Sequence, residues 1–138
     1  MQYLLDTNIC IYLMRKNHLK GRNIIEKLLS VGWDNCFISE YTVAELFYGA
    51  ECSDAPADNL EQVRSFCRDL HVIPLSDVLL EFAKQKAMLR KNGLIVEDAD
   101  IFIGSTAIVK NMVMVTENMK HIGRLKNIQV ENWSELEQ

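Results

Sequence analysis

Tyr3-Leu4-Leu5-Asp6-Thr7-Asn8 starts apolar and ends polar, and it sets the reading of the whole chain. A short apolar run that stops at Asp-Thr-Asn reads as a buried strand over residues 2–6 feeding a helix over residues 7–16. The pattern recurs. Asn35-Cys-Phe-Ile38 is followed by Ser39, an N-cap residue for a helix to about Cys52, with Val43, Leu46, Phe47 and Ala50 at helical spacing. His71-Val-Ile-Pro-Leu75 is followed by Ser76, read as the cap of a helix that Asn92-Gly93 stops. Met112-Val-Met-Val115 is followed by Thr116-Glu117-Asn118, and Ile128-Gln-Val130 reads as a short last strand. Further helices are expected over residues 22–31 after a break at 17–21, from Pro56 to about 69, and from about Asp98 to Lys110. Strands alternating with helices predict an α/β fold: a parallel sheet of four or five short strands, flanked by six or seven helices in three layers.

Length and composition agree. The 138 residues suit a single domain spanning 1–138, with 49% apolar and 25% charged residues. The four cysteines, Cys10, Cys36, Cys52 and Cys67, form no C-x-x-C pair and lie in apolar segments, so they read as buried thiols of a reducing compartment. With three histidines, zinc-ligand spacing is absent. No apolar run reaches membrane-spanning length and no signal peptide opens the chain, so a cytoplasmic protein is expected. Net charge is −4, yet cations are segregated. Residues 7–25, 82–96 and 110–126 each carry four, against Glu117 as the only acid in the three. Such stretches can steer a phosphate backbone, although each alone also fits a solvated helix face.

The acids are the chemical signal. In a parallel α/β sheet, strand ends and helix starts converge on one edge, where ligand crevices form. Asp6, Glu45, Asp98, Asp100 and the Thr116-Glu117-Asn118 segment all fall there. Each has a plainer reading alone: Asp6 and Asp98 as helix N-caps, Asp100 as a first-turn acid favoured by the helix dipole, Glu45 as a solvated helix residue, Asn118 as a turn residue. Together they would repel unless a cation offset them. An all-oxygen donor set suits Mg²⁺, with Mn²⁺ also fitting, and such metals support phosphodiester hydrolysis. Phosphate-loop and Gly-x-Ser-x-Gly signatures are missing, which argues against nucleotide-triphosphate and serine-hydrolase chemistry.

The same residues resemble a known family. Leu4-Leu5-Asp6-Thr7-Asn8 is similar to the opening motif of PIN-domain ribonucleases, and Thr42-Val-Ala-Glu45-Leu-Phe-Tyr-Gly49 to their second. Asp100-Ile-Phe-Ile-Gly-Ser105 resembles the third, Val115-Thr-Glu-Asn118 the fourth, and Val130-Glu-Asn-Trp133 the closing strand. Length and motif order look most like VapC-type toxins of bacterial toxin–antitoxin pairs. The resemblance implies a Mg²⁺-dependent endoribonuclease acting on structured RNA such as transfer RNA, a homodimer, and an antitoxin partner that blocks the site. It implies Asp6, Glu45 and Asp100 as the catalytic acids; Asp6, Asp100 and Asp98, which departs from the family pattern two residues before the third-motif Asp, are the expected metal ligands, with Thr7, Asn8, Thr116 and Asn118 supporting them. Asn118 stands where the fourth motif often has Asp, so the fourth acid is open between Asp98, Glu117 and a residue replaced by Asn118. A non-catalytic RNA-binding or scaffold domain with the same fold is the alternative. A phospho-acceptor receiver domain is disfavoured, since Asp6 is not paired with a second acid and Thr116 follows Val115 where that class has Lys.

Overall fold

A computed structural model describes residues 1–15 and 18–135. Five parallel strands, β1 (Tyr3–Leu5), β2 (Cys36–Ser39), β3 (His71–Ile73), β4 (Val113–Val115) and β5 (Gln129–Glu131), form one sheet in the order β3-β2-β1-β4-β5. Strand order runs outward from β1 in one direction and restarts at β4 on its other side, so the switch point lies between β1 and β4. Both strands are three residues long and nearly wholly buried, which is why they read as apolar runs rather than as alternation.

The pleat sorts the side chains into two cores. Leu5, Ile38 and Val115 face one side and pack with α1 (Thr7–Met14), α2 (Leu19–Val31), α3 (Glu40–Glu51) and α4 (Pro56–Arg68). Leu4, Met114 and Val130 face the other and pack with α6 (Asp98–Val109) and α7 (Met119–Ile122). Outside α6, α5 (Leu79–Lys91) closes a third cluster through Leu89, Ile101 and Leu125. The expected α/β sandwich is therefore present, with seven helices among the described residues.

Several local expectations are corrected. Ser76 does not cap α5. The backbone makes a 3-10 turn over Leu75–Asp77, the Leu75 N–H is taken by the Glu40 carboxylate at 2.8 Å, and α5 begins only at Leu79. Helix α2 starts at Leu19 rather than at 22, capped by His18, whose Nδ1 accepts the Lys20 N–H. Gly21 thus lies inside a helix rather than in a break. A Cβ there would sit 2.6 Å from the Tyr12 carbonyl oxygen, so glycine is what lets α1 and α2 approach. The expected end of the first helix at Lys16 and the break at Asn17 lie outside the described residues. Cys10 and Cys36 are buried as expected, but Cys52 is exposed at the end of α3 and Cys67 only partly covered. Among the described residues, no helix is long and apolar enough to cross a membrane.

Candidate functional site

Asp6 follows β1 directly and caps α1, its Oδ1 accepting the Thr7 N–H at 2.8 Å. Its backbone N–H still pairs with the Val115 carbonyl, so the residue is fixed at the switch point before its side chain is considered. Its Oδ2 accepts the Thr116 hydroxyl at 2.8 Å from the end of β4. The side chain is 5% exposed. Burial is the main cause that pushes its carboxyl up to about 6; the Thr116 and Thr7 bonds oppose it, and the Asp100 and Glu45 charges add to it.

Ser39 caps α3 through the Tyr41 N–H, as its position after β2 predicts. Glu45 then lies one and a half turns in, and its Oε1 accepts the Thr7 hydroxyl at 2.6 Å. The Thr7 oxygen also lies 3.1 Å from the hydroxyl of Thr42. Thr7 has one proton and the carboxylate takes it, so Thr42 donates to Thr7. Thr42 is fully buried and, three residues before Glu45, meets the same Thr7 hydroxyl from the same side of α3.

Helix α6 begins at Asp98 with Glu97, not Asp98, at the N-cap position. Asp100 is half-buried in the first turn, and its Oδ2 accepts the Asn118 amide at 3.1 Å. Burial raises its carboxyl above the ordinary aspartate value, Glu97 and Glu45 raise it further, and His121 and Asn118 pull the other way. Because Asn118 donates through Nδ2, its Oδ1 must accept, and the His121 Nδ1 at 2.8 Å carries the proton.

Of the residues expected at the site, the structure brings together Asp6, Glu45, Asp100, Thr7, Thr116 and Asn118. It does not bring Asp98, whose exposed carboxylate pairs with Lys86 of α5 at 2.9 Å. Asn8 is exposed on the first turn of α1. Glu117 turns away from the acids to Lys20. Thr42, Glu97 and His121 were not among the residues expected at the site. The Asn118–His121 spacing of three, one helical turn, is the signal that would have found the last of them.

Beside Asp100 opens a cleft of about 420 Å³ lined by Ile95, Val96, Glu97, Asn118, His121 and Arg124. Arg124 is held there by a bond to the Ile95 carbonyl at 2.6 Å. Beside Glu45 lies a second groove of about 440 Å³ between α1, α3 and α4, with Arg15 on its wall.

The groups gathered around the acids are carboxylates and hydroxyls, oxygen donors of the kind a hard dication takes, with the Asn118 amide turning its Nδ2 to Asp100. Two carboxyls raised by burial and mutual charge leave negative potential for such an ion to neutralise. Among the described residues, no three His, Cys, Asp or Glu side chains are close enough to ligate one ion together. A hard divalent cation held here would take one or two of these carboxylates directly and keep water on its remaining positions.

The sequence profile of the PIN domain matches residues 3–125. The chain is 34% identical to ribonuclease VapC2 of Rickettsia felis, over 96% of this chain and 98% of that one. It is 31% identical to the tRNA(fMet)-specific endonuclease VapC of Salmonella typhimurium over the same shares. The structure matches the DNA-bound VapBC complex of Salmonella typhimurium with a TM-score of 0.87 at 30% identity, covering 96% of this chain and 98% of that chain.

Proposed function

This chain belongs to the PIN-domain family, and from that premise we propose that it is a Mg²⁺-dependent endoribonuclease serving as the toxin of a toxin–antitoxin pair. The observation that carries the reading is the cluster itself: Asp6, Glu45 and Asp100 arrive from three remote segments at the switch point, where the Asp6 carboxyl is buried beside the other acids. Asp6 and Asp100 would hold the ion, with Glu45 reaching it through water. The bound ion supplies charge neutralisation and a water acidic enough to attack a phosphodiester at neutral pH. The chain's own contribution is orientation. Thr116 and the Thr7 N–H fix both oxygens of Asp6, Thr7 fixes Oε1 of Glu45, and Asn118 fixes Oδ2 of Asp100. That leaves Oε2 of Glu45 and Oδ1 of Asp100 as the acceptors free of these bonds. Glu45 is placed to take the proton of the attacking water at Oε2.

The substrate is structured RNA such as transfer RNA, in keeping with the named activity of the Salmonella relative. Arg124 beside Asp100 and Arg15 beside Glu45 supply the positive charge that a phosphate backbone needs next to carboxylates. An antitoxin chain as partner follows the VapBC assemblies, and a homodimer in the cytoplasm completes the reading. The purified chain, freed of any partner, should cut transfer RNA with Mg²⁺ or Mn²⁺ and stop in excess chelator. Full cleavage in chelator would overturn the proposal.

A further inference from the structure

Glu117 is the one acid of the turn after β4 that faces away from the site, and its surroundings show what it does instead. Its neighbours on either side both grip catalytic acids: Thr116 donates to Asp6 and Asn118 to Asp100. Between them, the Glu117 Oε2 accepts the Lys20 ammonium at 2.8 Å and lies 3.1 Å from the Ser134 hydroxyl, whose one proton it shares with the Asn132 Oδ1 at 2.7 Å. Lys20 lies in the first turn of α2, with its ammonium 3.5 Å from the Tyr12 hydroxyl of α1. Ser134 follows β5, is buried, and is itself held by Asn132 and, through its carbonyl, by Asn23. One carboxylate therefore ties the turn to α2 and to the segment after β5. Although burial opposes it, the bonds from Lys20, Tyr12 and Ser134 hold the Glu117 carboxyl below the usual glutamate value.

The backbone alone does not do this work. Thr116 is the last residue of the turn anchored to the sheet, its N–H going to the Glu131 carbonyl at 2.9 Å. The Asn118 N–H folds back only onto the Thr116 hydroxyl, the same oxygen that serves Asp6. Any swing of residue 117 would thus disturb both grips at once.

We propose that Glu117 is a positioning residue: through Lys20 and Ser134 it clamps the turn after β4 so that Thr116 and Asn118 orient Asp6 and Asp100, and it is not itself the fourth acid of the site. The proposal rests on the nuclease reading of the site. It removes Glu117 from the candidates for metal ligand and makes a pair 97 residues apart in sequence part of the active-site frame.

The test compares Glu117→Ala, Glu117→Gln and Lys20→Met, together with Asn118→Ala alone and combined with Glu117→Ala. The first readout needs no activity: the side-chain amide NMR signal of Asn118 in metal-free protein. It should move to the position of a solvent-exposed asparagine in Glu117→Ala and Lys20→Met and stay in place in Glu117→Gln, whose amide oxygen can still accept from both partners. The second is cleavage of a transfer RNA. Glu117→Ala should lower kcat roughly tenfold at nearly unchanged KM, Glu117→Gln should recover most of it, and the double variant should be no slower than Asn118→Ala alone. The rise in melting temperature on adding Mg²⁺ should match wild type in Glu117→Gln. Loss of that rise together with cleavage in Glu117→Gln would make Glu117 a ligand and overturn the clamp. So would an unmoved Asn118 signal in both Glu117→Ala and Lys20→Met, or strictly additive losses in the double variant. Wild type that cuts no RNA would defeat the nuclease reading instead, and the Asn118 signal would still decide the clamp.

Discussion

Helices α1 and α6 both begin beside the site, and both begin with aspartate. At α1 the aspartate is the cap. It has the sheet behind it, β4 alongside it, and almost no water. At α6 the first aspartate, Asp98, points to solvent and to Lys86, and only the second, Asp100, reaches the cluster. The helix dipole favours an acid at either start. What separates them is the neighbour: Asp6 is enclosed by other acids and hydroxyls, Asp98 meets a cation on a helix packed against its own. A first-turn acid becomes chemically interesting when its burial goes uncompensated.

The largest expected effect contrasts the two aspartates through cleavage. Asp6→Asn and Asp100→Asn should each lower RNA cleavage in Mg²⁺ roughly 100-fold or more, the scale of losing a group that acts on the reacting atoms. Asp98→Asn should stay within about threefold of wild type, as expected for an exposed pair. A dead Asp98→Asn beside an active Asp100→Asn in the same assay would reverse the assignment at α6.

Stability against pH should separate them next. The Asp6 carboxyl stands near 6 in the fold against 3.8 for the ordinary group, so the folded protein keeps a proton that the unfolded chain has released. Metal-free stability attributable to Asp6 is then greatest below the unfolded value and falls as pH rises to about 6, by roughly 3 kcal/mol at most. Urea unfolding at pH 4 and pH 7 should show this decline in wild type and a much shallower one in Asp6→Asn. The Asp98→Asn protein should follow wild type. Equal slopes for wild type and Asp6→Asn would mean that burial of Asp6 carries no such penalty.

The smallest effect concerns the Asp98–Lys86 pair alone. Both side chains are more than half exposed, at 57% and 54%. Lys86→Ala should therefore shift the unfolding free energy by about 0.5 kcal/mol or less, and the shift should shrink in high salt. A larger change in chemical denaturation would show that α5 depends on α6 for more than apolar packing.

The sequence revealed what local chemistry decides. Short buried strands leading into a capping residue were legible at Asp6 and at Ser39, and so was the parallel α/β order. The acids of the cluster were legible because strand ends in such a sheet share one edge. What stayed hidden depends on tertiary neighbours. Ser76 follows an apolar run as Ser39 does, but Glu40 reaches across from α3 and the chain takes a 3-10 turn first. Lys86 meets Asp98 only because α5 packs on α6. Helix α7 is four residues long, too short to show a period, so His121 went unread. Gly21 looked like a break because composition does not distinguish a flexible glycine from one that makes room for a carbonyl.

The hydrogen bond from Thr116 to Asp6 joins residues 110 apart in sequence, and β1 pairs with β4 in the middle of the sheet. During synthesis, then, Asp6, Glu45 and Asp100 are all joined to the chain while the partner that holds the first of them is still unmade. A chain interrupted before Val113 carries Asp6, Glu45 and Asp100 but lacks the strand and the turn that aim two of them. The cluster is therefore completed late, when β4 fills the central gap in the sheet beside β1.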